Sequence, residues 1–238
     1  MLNFVPPNTI DFEQLWTLIS TRNKWFVNIR YYIVAVFALF VITMQHIFKI
    51  GFTTEQLWAF TIIASSLLLV NIGYSYVIGS GFIKNDSIGF NQLHFSFNQI
   101  IIDFLFIALI TYYTGGIESP FYLFFVFHMI IGSMILPNYV VYTISSIVVS
   151  YIGVFSFLEC YGLIEHYNFG NLYPVPLYNN PKYIVIFVTA FGIMMFVSVF
   201  LANNITRAHF QRSQQLKLTL NRLKEAERHK MKYTMGIV

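Results

Sequence analysis

Charge is what this sequence has least of. Only 10% of its 238 residues are Asp, Glu, Lys or Arg, where a soluble domain carries roughly 25%. So few ionised groups cannot cover a water-soluble globule, and that class is excluded. Cysteine is nearly missing too. The single Cys160 rules out an intrachain disulfide and a cysteine metal cluster. There is no Walker loop, nucleotide-binding glycine pattern, HExxH or nucleophile elbow. His46, His94, His166, His209 and His229 show no metal-ligand spacing. No internal repeat is visible. The region up to Arg30 is polar, without the short apolar core near Met1 that a cleavable signal peptide needs.

What the sequence does have is apolar length. Hydrophobic residues make up 57% and aromatics 19%, a composition suited to lipid-facing surfaces with aromatic belts at the headgroups. Stretches of about 20 apolar residues cross a bilayer. Six candidates follow one another: Tyr31–Ile50, Gln56–Ile78, Leu93–Tyr113, Phe121–Leu136, Tyr139–Tyr161 and Tyr183–Ile205. The fourth is short and lies between Pro120 and Pro137. The expectation is an all-α polytopic membrane protein with three parts: a cytoplasmic N-terminal segment over 1–30, a six-helix transmembrane domain over 31–205 and a cytoplasmic coiled-coil linker over 206–238.

Orientation follows from the basic residues, which concentrate on the cytoplasmic side. Arg22, Lys24 and Arg30 precede the first span, and Lys84 lies between the second and third. Eight more, from Arg207 to Lys232, follow the sixth. Twelve of the fourteen therefore fall on one side, leaving Lys49 and Lys182 on the other. Both termini are expected in the cytoplasm. Anionic lipid headgroups are a simpler partner for the basic tail than nucleic acid.

Asp103 is the only acid well inside a span. Such a carboxylate is costly in hydrocarbon and faces a partner; Asn98, Gln99 and Asn71 are the nearby polar candidates. Two readings stay open: a polar clasp between helices, or a protonatable sensing or transport residue. His128, inside the fourth span, reads first as a packing residue. Glu159, Glu165 and His166 read as solvated loop charge.

The turn after the third span runs Tyr113-Thr114-Gly115-Gly116-Ile117-Glu118-Ser119-Pro120-Phe121. The glycines permit a tight reversal. Ser119-Pro120 suits the start of the next helix, with Glu118 near its positive end. Beyond the sixth span, Leu216, Leu220 and Leu223 are spaced four and three apart, as in a coiled-coil seam. The pattern then slips toward Met231 and Met235 as a stutter does.

These segments resemble the membrane region of the RegB/PrrB-type sensor histidine kinases. In that family an Asp-containing helix runs into a Gly-Gly-x-x-Asn-Pro-Phe turn implicated in quinone sensing. Here Asp103 precedes Gly115-Gly116-Ile117-Glu118-Ser119-Pro120-Phe121, with Ser119 in place of the Asn, as related six-helix sensors often have. Asn28-Ile29-Arg30-Tyr31 is loosely similar to the start of the family's first helix. Leu223-Lys224-Glu225-Ala226-Glu227-Arg228 and Met231–Val238 look like the helix leading into a phosphoacceptor box, but the chain carries no phosphoacceptor histidine and no ATP-binding site.

The resemblance implies a homodimeric sensory and signal-transmitting domain in a bacterial inner membrane. A response regulator would be reached through a kinase half outside this chain. The implied ligand is a quinone at Gly115, Gly116, Glu118, Ser119, Pro120, Phe121 and Tyr113, with Asp103, Asn98 and His128 as a polar relay. The rival readings are a small transporter or channel with Asp103 on its pathway, and a membrane enzyme acting on lipid, which would need ionisable groups clustered at one interface.

The charge asymmetry is directly testable. A single cysteine in the Gly162–Pro181 loop should react with an impermeant thiol reagent added outside the cell. Labelling only from the cytoplasmic side would overturn the orientation.

Overall fold

The structure is a computed structural model that describes residues 12–83, 90–170 and 176–235. Lys84 and the terminal Gly236-Ile237-Val238 lie outside the described residues. Six α-helices follow in order: α1 Phe12–His46, α2 Thr54–Gly79, α3 Gln92–Tyr113, α4 Leu123–Ser133, α5 Asn138–Cys160 and α6 Pro181–Met235. Two single 3-10 turns, Gly116–Glu118 and Pro120–Tyr122, join α3 to α4.

Local chemistry sets the helix starts. Thr53 and Gln56 form a reciprocal capping box at α2. Asn91 Oδ1 accepts the Leu93 and His94 N–H groups at α3. Asn180 Oδ1 accepts those of Lys182 and Tyr183 at α6, whose first residue is Pro181.

α1 packs on α2, both pack on α3, and α6 lies against α4 and α5. Contacts at the two ends show that successive helices alternate in direction. At one end Gln56 of α2 donates to the carbonyls of Tyr113 and Asn168. At the other, Arg22 of α1 donates to the Met134 carbonyl just past α4. The main core joins Trp16 and Ile19 to Phe104, Phe125, Met129, Val141, Met195 and Val199. A smaller aromatic core of Phe52, Phe60 and Phe169 closes the Gln56 end.

Five helices are long and apolar enough to cross a membrane. Large apolar side chains such as Trp58, Ile62, Leu69, Ile186 and Ile193 are exposed around the bundle, and soluble monomers rarely expose large contiguous apolar surface. The fold is all-helical among the described residues and compatible with a multi-pass membrane protein.

Two details differ from the sequence reading. The first helix does not begin near Tyr31: α1 already starts at Phe12, and its first half is packed, with Trp16, Ile19, Asn23, Val27 and Arg30 buried. Polar residues in 16–30 hid this, because several of them point into the bundle. α4 is only 11 residues long. Even with the preceding 3-10 turn it is the shorter apolar helix Pro120–Ser133, below the length that spans a bilayer unaided.

Glycine is required where loops meet. Gly170 has φ +56°, and a Cβ there would overlap the carbonyl oxygen and side chain of Ile50. Gly162 has φ +71° but open space around it. Gly162→Ala should therefore lose only the backbone preference, about 1–2 kcal/mol. Gly170→Ala should lose clearly more, because it adds a clash with main chain. Thermal unfolding of the two variants in the same detergent checks the order.

Candidate functional site

The Gly115–Phe121 turn is not an exposed hairpin. Residues 114–119 are all buried. Thr114 Oγ1 donates to the Ile110 carbonyl at 2.6 Å and lies 2.6 Å from Ser119 Oγ. Ser119 Oγ in turn accepts the Phe121 N–H at 3.2 Å. Gly115 (φ +109°) and Gly116 (φ +53°) adopt left-handed backbone. A Cβ on Gly116 would overlap the Glu159 carboxylate, so both its conformation and its neighbour demand glycine.

What covers the turn are His166, Phe169, Leu177 and Tyr178, from the chain between α5 and α6. Glu118 Oε1 accepts the N–H groups of Leu177 at 2.6 Å and Tyr178 at 3.3 Å. His166 lies between two carboxylates. Its Nδ1 is 3.4 Å from Glu159 Oε1, and its Nε2 is 3.7 Å from Glu118 Oε2. The imidazole also stacks on Tyr178, with centroids 3.7 Å apart. The expectation that Glu159 and His166 are solvated loop charges is overturned: their side chains are 0% and 5% exposed. Glu165 beside them is exposed. Tertiary folding of the loop onto the turn caused this, and no local pattern announced it.

The electrostatics follow from that packing. Burial alone would push the Glu118 carboxyl up, but His166 and the Leu177 N–H outweigh it and hold it below the usual range. Burial would likewise push His166 down. Glu118 and then Glu159 overcome this and raise it to about 9, so the imidazole is charged at neutral pH. Glu159 Oε2 is buried without a hydrogen-bond partner. These groups do not form a metal-holding set.

The turn separates its candidate ligand residues onto two sides. Tyr113 and Phe121 join the aromatic core under α1 and α2, with Phe121 5.2 Å from Phe40. Gly116 instead lines a narrow cleft with Thr111, Tyr112, Tyr122, Tyr151 and Phe187, whose free volume of about 20 Å³ is little more than one water needs. The Thr111 hydroxyl there is buried and unpartnered. Pro120 is exposed.

Asp103 has a partner that the sequence reading missed. Arg30 of α1 grips it with two hydrogen bonds, Nε to Oδ1 at 2.8 Å and Nη2 to Oδ2 at 2.6 Å. Arg30 Nη2 also reaches Gln99 Oε1 at 3.3 Å, and the guanidinium lies over the Tyr74 ring. His128 Nε2 is 3.7 Å from Asp103 Oδ2, so it is more than a lone packing residue. Asn98 does not touch Asp103; it accepts from Tyr74 on the bundle surface. Asn71 instead donates to the Val27 carbonyl. Arg30 had been assigned to the cytoplasmic side because the first span was taken to start one residue later. Asp103 lies eleven residues before Thr114 on one helix, roughly 16 Å away, so the two polar sites are separate.

No protein-family model, curated protein or solved structure matches this chain.

The Arg30–Asp103 pair yields a stability prediction. Breaking a buried pair by removing one partner typically costs about 3–5 kcal/mol. Arg30→Met alone should fall in that range. Arg30→Met with Asp103→Leu should cost less than the sum of the single variants. Reversible unfolding in mixed micelles measures both. Additive costs would show that the pair contributes no coupling.

Proposed function

We propose that this chain is the sensory and signal-transmitting membrane region of a two-component histidine kinase of the RegB/PrrB type. The observation that carries the reading is α6. One uninterrupted helix, Pro181–Met235, leaves the bundle and continues as an exposed rod. Leu216, Leu220 and Leu223 on that rod are 63%, 48% and 57% exposed. An apolar stripe at four-three spacing on a protruding helix is stabilised by a second copy in a parallel coiled coil. In this reading α4 is the short fourth span, which brings the number of crossings to six and returns the chain to the side where it began. Both termini are then cytoplasmic in a bacterial inner membrane.

The cleft supplies the input. Its wall includes Phe187 of α6, which packs edge-on against Tyr122 at 4.7 Å. The cleft as it stands has about 20 Å³ free, so a flat amphipathic ligand of the quinone class enters only by opening it; the aromatic lining would then stack on its ring and the unpartnered Thr111 hydroxyl would donate to it. Such a ligand displaces Phe187 and so acts directly on the output helix. This coupling requires different affinity for two arrangements of α6. The parent enzyme would phosphorylate a histidine and reach a response regulator through a kinase half not on this chain. The transporter reading is weaker, because Arg30 already occupies Asp103.

Two measurements test the proposal. A fusion in coiled-coil register to the catalytic half of a dimeric histidine kinase should change its autophosphorylation by about fivefold or more between oxidised and reduced quinone in nanodiscs. Thr111→Val should weaken quinone binding by about tenfold through loss of one hydrogen bond, whereas Phe121→Ala should leave it nearly unchanged. Cysteines at 216, 220 and 223 should cross-link more readily than at 218 and 221. A quinone-insensitive fusion with a flat cross-linking profile would overturn the reading.

A further inference from the structure

Three segments distant in sequence each place one ionisable side chain in the same buried space. Glu118 comes from the turn before α4, Glu159 from the last turn of α5, and His166 from the chain that follows it. Among the described residues, His166 is the one cation set between these two carboxylates. Glu118 is served by two backbone N–H groups and faces His166. Glu159 has only His166 at 3.4 Å, and its second oxygen has no partner. With His166 protonated, one cation holds two carboxylates. With His166 neutral, the ring between the two buried carboxylates keeps one N–H for the pair and carries no charge to offset either, an arrangement that buried charge does not tolerate.

The cluster is also mechanical. Glu118 holds Leu177 and Tyr178, and His166 stacks on the Tyr178 ring. Both halves of the α5–α6 connection are thereby fastened to the turn that begins α4. Glu159 presses on Gly116, which lines the cleft. Releasing His166 frees the connection and changes the wall of the cleft together.

We propose that Glu118, His166 and Glu159 form a proton-binding latch, through which the pH at this end of the bundle controls the seating of the α5–α6 connection on the Gly115–Phe121 turn. The device gives the chain a second input, protons, besides any ligand in the cleft. That the sensed pH is the outer one rests on the proposed orientation; the latch itself does not. Other groups around it are ordinary acids. Tyr112 and Tyr151 face Glu159. Tyr178 covers the imidazole. Glu165 and Glu55 lie nearer Tyr167 than His166. His166 is therefore the group that changes charge first as pH rises from neutrality.

The sign follows from the direction of its shift. A histidine raised from 6.5 to about 9 in the folded protein stabilises the closed state fully below pH 6.5. That contribution fades as pH rises and is gone above about 9.

Electron-spin distance measurements on the full chain in nanodiscs test the latch without ligand or kinase. Labels at Thr54→Cys and Asn179→Cys, in a Cys160→Ser background, report the distance from α2 to the connection. The distribution should be narrow at pH 6.5 and broaden with a one-proton midpoint near 9. His166→Gln should show one distribution at every pH. Glu159→Gln should move the midpoint down by about one pH unit, because one of the two charges that hold the proton is gone. Distances unchanged from pH 6 to 10 would overturn the proposal, as would an unshifted midpoint in His166→Gln. If that variant does not fold, an unshifted midpoint in Glu159→Gln overturns it instead. A quinone-insensitive protein that still shows the transition would remove the ligand reading and leave the latch standing.

Discussion

The Arg30–Asp103 pair is the interaction on which the arrangement of the first three helices depends. A carboxylate in the middle of α3 cannot remain there as an isolated charge. It fixes the rotation of α3 and the depth of α1, since the guanidinium must arrive in the plane of the carboxylate to make both bonds. The register that results places Val27 beside Asn71 of α2 and Asn23 beside Gln92 and Ser96 of α3. These are weaker bonds than the ion pair, and they fall on the same buried stripe of α1. Without such polar contacts the helices have little to choose between registers, because lipid tails are as apolar as leucine and no hydrophobic gain separates one from another.

A different constraint governs the turn end. Loops there carry backbone groups that must be satisfied once they fold inward. Gln56 does this for Tyr113 and Asn168 with a single amide, and Glu118 does it for Leu177 and Tyr178. Side chains of α2 and of the turn thus serve main chain from three other segments. Gly116 and Gly170 then allow backbone to approach a carboxylate and a carbonyl more closely than any side chain would permit.

How much of this was legible in the sequence depended on range. Helices whose apolar runs are bounded by Thr53, Asn91 or Pro181 could be placed within a few residues, because caps and proline are local signals. The start of α1 could not. Asn23 and Arg30 look like solvent-facing residues when their partners, Gln92 and Asp103, lie about 70 positions later. The same holds at the turn. Gly115, Gly116 and Ser119 announced a tight reversal, and Ser119 does cap it. Nothing near Glu159 or His166 said that they would be buried against it. Composition overstated α4, whose apolar run continues past the end of the helix into Met134–Leu136.

The two polar sites divide the bundle. The Arg30 cluster belongs to α1, α3 and α4, and every charged member has an opposite charge within reach. The turn cluster belongs to the loops, and one of its carboxylate oxygens has no partner. Arg30 Nη1 and Gln99 Nε2 lack partners too, but the charges of that cluster balance, and motion there breaks the two-bond grip on Asp103. A site short of one positive charge can gain or lose stability with a single proton. The helix that would carry a signal onward contacts α4 and α5, the two elements joined to that under-compensated site at the turn end. Only α4 of that pair also reaches the Arg30 cluster, through His128. On the proposed reading, a displacement that starts at the turn would reach α6 through α4 and α5, with Arg30 and Asp103 holding α1 and α3 as the frame against which it moves.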